Sequence, residues 1–220
     1  MVIGHVRLGT TSGKWSLRST TNAHPFLFRV GEADWAGAHN GYIRMGSPTF
    51  RRPEGTTDSE AFFCAMADEL ETSKAKLTEE KMDAVCRVAG KYQNSGKLNF
   101  LLSDGENLFF SANHPAAAGG LYFREVKRSD QRALIVATRP LFTEEGWEEA
   151  KPGWLYVARE GRVVKKRRIV PAFAGKTQLT MFAREEEPRA AASQERKRRY
   201  RSYIDYWEEQ VAKKKVANCH

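Results

Sequence analysis

Leu98-Asn-Phe-Leu-Leu-Ser-Asp-Gly-Glu-Asn-Leu-Phe-Phe-Ser111 is the stretch on which the fold turns. Two apolar runs, Leu98–Leu102 and Leu108–Ser111, flank Ser-Asp-Gly-Glu-Asn. Asp-Gly tolerates the positive φ that a tight reversal needs, so the stretch predicts a β-hairpin. Downstream, Ala133–Thr138 and Leu155–Ala158 read as further strands, and Glu160-Gly161 turns the chain into Arg162–Val164. Upstream the period changes from two to that of a helix. Thr57-Asp-Ser-Glu60 has the form of a capping box, and Phe62, Phe63, Met66 and Leu70 follow at helical spacing. A second helix opens at Thr78, with Glu79 and Glu80 favourable in its first turn and Met82, Val85, Val88 and Tyr92 as its buried stripe; Gly96 stops it. Before the helices, Val2–Leu8, Phe26–Val30 and Trp35–His39 are short strand-like runs between loops rich in Gly, Ser, Thr and Pro. Strands, two helices and strands again predict an α+β fold of layered sheets and helices.

Composition bounds the alternatives. At 220 residues, 41% hydrophobic and 11% aromatic, the chain can build one good-sized core. No apolar run approaches the roughly 20 residues that span a bilayer, and the N-terminus lacks the pattern of a signal peptide, so a cytoplasmic protein is expected, with no membrane partner. Three scattered cysteines, Cys64, Cys86 and Cys219, fit neither a disulfide framework nor a zinc site. No His, Asp or Glu cluster has metal-ligand spacing, and no cofactor is expected. The net charge of +9 is lopsided: residues 162–220 hold 16 Lys and Arg against 7 Asp and Glu, while residues 1–161 hold 20 of each. Only the C-terminal stretch therefore suggests a polyanion contact.

Four short segments concentrate the polar, chemically useful residues. They are Gly4-His-Val-Arg-Leu-Gly-Thr10, Asn22-Ala-His-Pro-Phe26, Ala38-His-Asn-Gly41 and Gly55-Thr-Thr-Asp-Ser-Glu60. Singly each is weak: Asn-Gly is usually a turn, and His24 and His39 are more often hydrogen-bonded structural histidines than ligands. In this order and spacing they resemble the class II glutamine amidotransferases, the branch of the N-terminal-nucleophile aminohydrolases built as an α/β/β/α sandwich. Leu98–Gly105 and Val136-Ala-Thr-Arg-Pro-Leu141 resemble the small stand-alone members, and the likeness runs from about residue 2 to about residue 164.

The resemblance implies a division of labour. Arg7 would grip the α-carboxylate of glutamine, which suits a planar bidentate donor, and Asp58 would receive the α-ammonium. Asn40, through its side-chain N–H, and Gly41, through its backbone N–H, would stabilise the oxyanion. Thr10 would line the pocket, with His24 and His39 as scaffold. The implied function is hydrolysis of the side-chain amide of glutamine or a γ-glutamyl compound.

One part of the pattern is absent. The family nucleophile is an N-terminal cysteine whose own α-amine acts as base. It lies several dozen positions upstream of the Gly-His-Val-Arg motif, which here starts at Gly4. None of the three cysteines has a free α-amine, so the chain alone is expected to be inactive. The explanations are a start assigned too late, a split enzyme whose partner chain supplies the N-terminal segment, or a non-catalytic glutamine-binding module. Residues 1–170 are read as the incomplete amidotransferase domain and residues 171–220 as a basic tail. In that tail Tyr200, Tyr203, Ile204, Trp207 and Val211 stripe an amphipathic helix from about residue 187 to 215. Lys165–Arg168, just before the tail, and Glu195–Arg201 within it are basic clusters; no base-reading motif accompanies them, so nucleic-acid binding stands as the alternative of a different class.

Overall fold

The computed structural model of the chain describes residues 1–6, 20–45, 49–143 and 145–172. The amphipathic stripe at 200–211 lies outside them, as do Arg7, Thr10 and Cys219. Among the described residues are nine strands, two α-helices and two short 3-10 helices, Thr20–Asn22 and Ala116–Ala118. Strands β1 (Phe26–Val30) and β2 (Ala33–Ile43) come first, followed by helices α1 (Asp58–Thr72) and α2 (Thr78–Tyr92). The predicted hairpin is β3 (Gly96–Ser103) and β4 (Leu108–Ala112); then come β5 (Tyr122–Arg128), β6 (Gln131–Ala137), β7 (Glu148–Glu149), β8 (Trp154–Arg159) and β9 (Arg162–Arg168). Six strands form one antiparallel sheet in the order β1-β2-β3-β4-β8-β9, and three form a second in the order β6-β5-β7.

The layers follow from which faces are apolar. On one face of the larger sheet Trp35, Ile43, Phe100, Leu102, Phe109, Leu155 and Val157 pack against Phe62, Phe63, Met66 and Leu70 of α1 and Met82, Val85 and Val88 of α2. On its other face Phe110, Ala112, Tyr156 and Ala158 meet Phe123 of the smaller sheet and Leu121 just before it, with Phe110 stacked on Tyr156 at 5.0 Å. Strands β4 and β8 are thus covered on both sides, which is why Leu108-Phe-Phe and Leu155-Tyr-Val-Ala read as unbroken apolar runs. The fold is the mixed α+β class expected, and these residues supply a helix–sheet–sheet stack.

Several local expectations change. Met1–Val6 is in no strand; Val2 and Val6 are 95% and 100% exposed, so an apolar run has formed no sheet pairing there. Helix α2 does open at Thr78 with Glu79 and Glu80 in its first turn, but the Glu80 carboxylate also turns back to accept from the N–H groups of Lys76 (2.8 Å) and Leu77 (2.9 Å). Strand β5 carried no clear apolar run, because Arg124, Glu125 and Lys127 interrupt it.

The basic cluster Lys165–Arg168 is not a tail. It lies in β9, paired with β8, and two of its cations, Lys165 and Arg167, form ion pairs with Glu79 and Asp83 of α2.

Hairpin β3–β4 is pinned by Asp104. Its carboxylate accepts from the N–H groups of Glu106 (3.0 Å) and Asn107 (2.6 Å) and meets the Lys81 ammonium of α2 at 2.7 Å. Burial alone would push the Asp104 carboxyl up, but the Lys81 and Asn107 hydrogen bonds hold it below its ordinary value.

Candidate functional site

The four sequence segments converge around the N-terminus of α1. Thr57 caps that helix by accepting from the Glu60 N–H at 3.1 Å. Only half of the expected capping box forms: the Glu60 carboxylate accepts from the backbone N–H groups of Glu54 and Gly55, each at 2.7 Å, and so holds the incoming loop instead. Asn22, 5% exposed, reaches the same loop, its Oδ1 accepting from the Thr56 N–H at 2.8 Å. A Cβ on Gly55 would sit 2.3 Å from that Oδ1, so the second and fourth segments can close on each other only over a glycine. The first segment joins them through His5, whose ring stacks on His24 at 4.2 Å; His24 in turn meets Phe26 edge-on.

The third segment is locked in by His39, which is 2% exposed. Its Nε2 lies 3.1 Å from the Lys97 carbonyl, which can only accept, so Nε2 carries the proton. Nδ1 therefore accepts from the Ser59 hydroxyl, 2.9 Å away. Desolvation pushes the imidazole below its ordinary value, outweighing the opposing pull of the Lys97 hydrogen bond and the Asp58 charge. The ring is a neutral strut between β2, β3 and α1, the scaffold role expected of it.

Asp58 is the first residue of α1. Its Oδ2 accepts from the Ile43 N–H at 2.8 Å, so one carboxylate oxygen holds the end of β2. The helix N-terminus favours its negative charge.

Gly41 and Asn40 lie two and three residues back from Ile43 along β2. Arg44 N–H bonds the Ser95 carbonyl, and Asn40 and Gly41 pair in register with Asn99 and Leu98 of β3. In an antiparallel ladder the N–H groups alternate between edges. The even-numbered N–H groups of this stretch therefore face β3, and those of Gly41 and Ile43 face the opposite edge, as the Ile43–Asp58 bond shows. Strand β1 covers that edge only as far as Gly37, opposite Phe26. Among the described residues no strand pairs with that edge beyond Gly37, and Gly41 N–H and the Asp58 carboxylate share it. Gly41 itself has φ +155°, and a Cβ there would lie 1.9 Å from the Lys97 carbonyl oxygen and 2.9 Å from His39 Nε2. The Asn40 side chain is exposed.

A model of the class II glutamine amidotransferases matches residues 1–119 and 117–180. The chain belongs to this family. A Haemophilus influenzae protein named as a candidate glutamine amidotransferase is 29% identical over 184 residues, covering 74% of this chain and 61% of the relative. The Escherichia coli protein YafJ, named likewise, is 30% identical over 188 residues, covering 74% and 71%. The crystal structure of a predicted glutamine amidotransferase from Pseudomonas aeruginosa superposes with a TM-score of 0.58 at 26% identity over 66% of each chain. The chain spans 61% of the length of the Haemophilus relative.

In this member of the family Gly41 and Asp58 meet along one strand edge, and Asn40 precedes Gly41 on β2. Ser59, the Lys97 carbonyl and Asn99 also shape the site, and the sequence motifs assigned them nothing. Asn99 alone carried a signal, a polar residue inside the apolar run Leu98–Leu102. Cys64 and Cys86 are half-buried on the helices, and desolvation pushes both thiols up to about 11, the reverse of what a nucleophile needs. Among the described residues no group of three or more His, Cys, Asp or Glu could hold a metal ion, and no helix is long and apolar enough to cross a membrane.

Proposed function

We propose that this chain forms the glutamine-recognition and oxyanion side of a class II amidotransferase site, acting on the side-chain amide of glutamine or a γ-glutamyl compound. The observation that supports it is the shared strand edge. Gly41 and Ile43 are two residues apart, so the oxyanion donor and the Asp58 carboxylate are spaced by about 7 Å along the strand. An extended glutamine spans roughly 6 Å from its ammonium nitrogen to its side-chain carbonyl oxygen, five bonds away.

In this reading Asp58 takes the ammonium with the carboxylate capacity that the Ile43 N–H leaves over. Arg7 takes the α-carboxylate, and Thr10 lines the pocket. The side-chain carbonyl oxygen lies against Gly41 N–H and the Asn40 amide. A cysteine thiolate adds to the carbonyl carbon, and the two donors stabilise the negative charge that develops on oxygen. Ammonia leaves with a proton, and water then hydrolyses the glutamyl thioester. Neither Cys64 nor Cys86 supplies that thiolate, and Cys219 has no α-amine to act as its base, so the 220 residues alone bind without turning over.

Asp58→Asn is the discriminating test, because asparagine keeps an oxygen for the Ile43 N–H and loses only the charge. Calorimetry with glutamine should show the parent binding and the variant weakened by about ten- to a hundredfold, the worth of a hydrogen bond to a charged group. Equal affinity in parent and variant, or no binding of glutamine and γ-glutamyl compounds by the parent, would overturn the reading.

A further inference from the structure

Asn99 sits in the middle of β3, directly opposite Asn40 of β2, and is 1% exposed. Its Nδ2 donates to the Gly119 carbonyl at 2.7 Å. A carbonyl can only accept, so this bond fixes which way the amide points and leaves Oδ1 as its other end. Oδ1 is sealed from solvent and has no hydrogen-bond partner among the described residues. Buried carbonyl oxygens are normally paired, and one left over calls for a donor.

The geometry identifies that donor. Asn40 and Asn99 form one of the closely bonded pairs of the ladder, because the Arg44–Ser95 bond sets the alternation and Asn40 is four residues back. In such a pair the Cα atoms are about 5.5 Å apart and the two side chains leave the sheet on the same face. Asn40 has an exposed amide with two N–H groups, and turning it onto Asn99 satisfies the buried oxygen with one of them.

We infer that Asn99 is a positioning residue for the oxyanion donor: its Oδ1 accepts one N–H of Asn40 and thereby aims the other at the substrate carbonyl. This rests on the proposed role of Asn40. It adds that the donor is oriented from across the sheet, and that the orienting residue is itself anchored to the turn at Gly119, which has φ +84°. The Ala116–Gly119 turn, which leads into the second sheet, would then set the aim of a group in the first.

The test compares glutamine with norvaline, which keeps the α-amino acid end and lacks the side-chain carbonyl. Calorimetry on the 220-residue chain should show Asn99→Leu losing about tenfold for glutamine, one hydrogen bond's worth, with norvaline unchanged. Asn99→Asp, which retains an acceptor at that place, should lose less than Asn99→Leu. In an Asn40→Ala background Asn99→Leu should cost nothing further. Parallel loss for glutamine and norvaline in Asn99→Leu, or a full additional loss in the Asn40→Ala background, would overturn the inference and leave the proposed function standing. If the parent does not prefer glutamine to norvaline, the proposed function fails on its own. The ligand-free melt then decides about Asn99: the inference requires the Asn40→Ala and Asn99→Leu effects on Tm to be non-additive, and strict additivity refutes it.

Discussion

Gly41→Ala should damage this chain far more than a methyl group ordinarily does. The added Cβ would stand 1.9 Å from the Lys97 carbonyl oxygen, 2.7 Å from its carbon and 2.9 Å from His39 Nε2. None of these can step aside cheaply. The carbonyl is ladder backbone and accepts from His39, and His39 is wedged against Ser59. The φ of +155° adds a conformation that alanine rarely adopts. Backbone strain of about 1–3 kcal/mol and overpacking of about 1–3 kcal/mol together predict a loss of about 2–6 kcal/mol. For a domain of this size each kcal/mol lowers Tm by about 2–4 °C, so the melt should fall by about 4–24 °C. Gly105→Ala is the control. Its φ is +89°, but nothing lies within 4 Å of the added Cβ, so only the conformational cost of about 1–2 kcal/mol remains. Thermal melts followed by circular dichroism compare the two. If Gly41→Ala melts no lower than Gly105→Ala, then the close packing of Lys97 and His39 beneath Gly41 is not what fixes its conformation.

Two further outcomes follow from the buried polar groups. Burial holds His39 neutral below its ordinary value of 6.5, so the unfolded chain binds the extra proton; stability is full above that value and is lost as pH falls below it. His39→Gln should flatten the fall of Tm between pH 6.5 and 5, and an unchanged slope would assign it to other groups. Lys81→Met strands the Asp104 carboxylate, whose side chain is 2% exposed, and should cost about 3–5 kcal/mol in urea unfolding. Adding Asp104→Asn should recover much of it; a double variant no better than Lys81→Met would show that the charge is not what matters.

The elements legible in the sequence are those whose cause is local. Strand β1, the hairpin around Asp104 and both helices follow from turn chemistry, capping and periodicity, and they lie where those signals put them. What was illegible depends on partners far along the chain. Met1–Val6 has strand-like composition but nothing to pair with among the described residues. Strand β9 has the composition of a solvated tail, yet β8 supplies its backbone partners and Glu79 and Asp83 counter Lys165 and Arg167. The site divides in the same way. The motifs single out Asn40, Gly41 and Asp58 as candidates, whereas the carbonyl of Lys97 has no side-chain signature, since any residue could supply it.

The clearest division in the site is between residues that the fold uses and residues that it leaves available. Asn22 clasps the Thr56 loop, Glu60 holds Glu54 and Gly55, and His39 spans Ser59 and Lys97; each spends its polar groups on the protein. Their presence would be required in a folded chain with no ligand at all. Asn40 differs, with an exposed amide, and Gly41 differs too, with an N–H aimed at a strand edge that β1 has left. Asp58 stands between the two groups, because one oxygen holds Ile43 while its charge sits at a helix end near that same edge. Backbone and side-chain donors directed away from structural work, beside a carboxylate only partly committed, are what a bound amide and ammonium would need. Substitutions should sort accordingly. Changes at Asn22 or His39 act first on the melt, and changes at Asn40 act first on ligand affinity. Asp58→Ala acts on both, while Asp58→Asn, which spares the Ile43 bond, separates them.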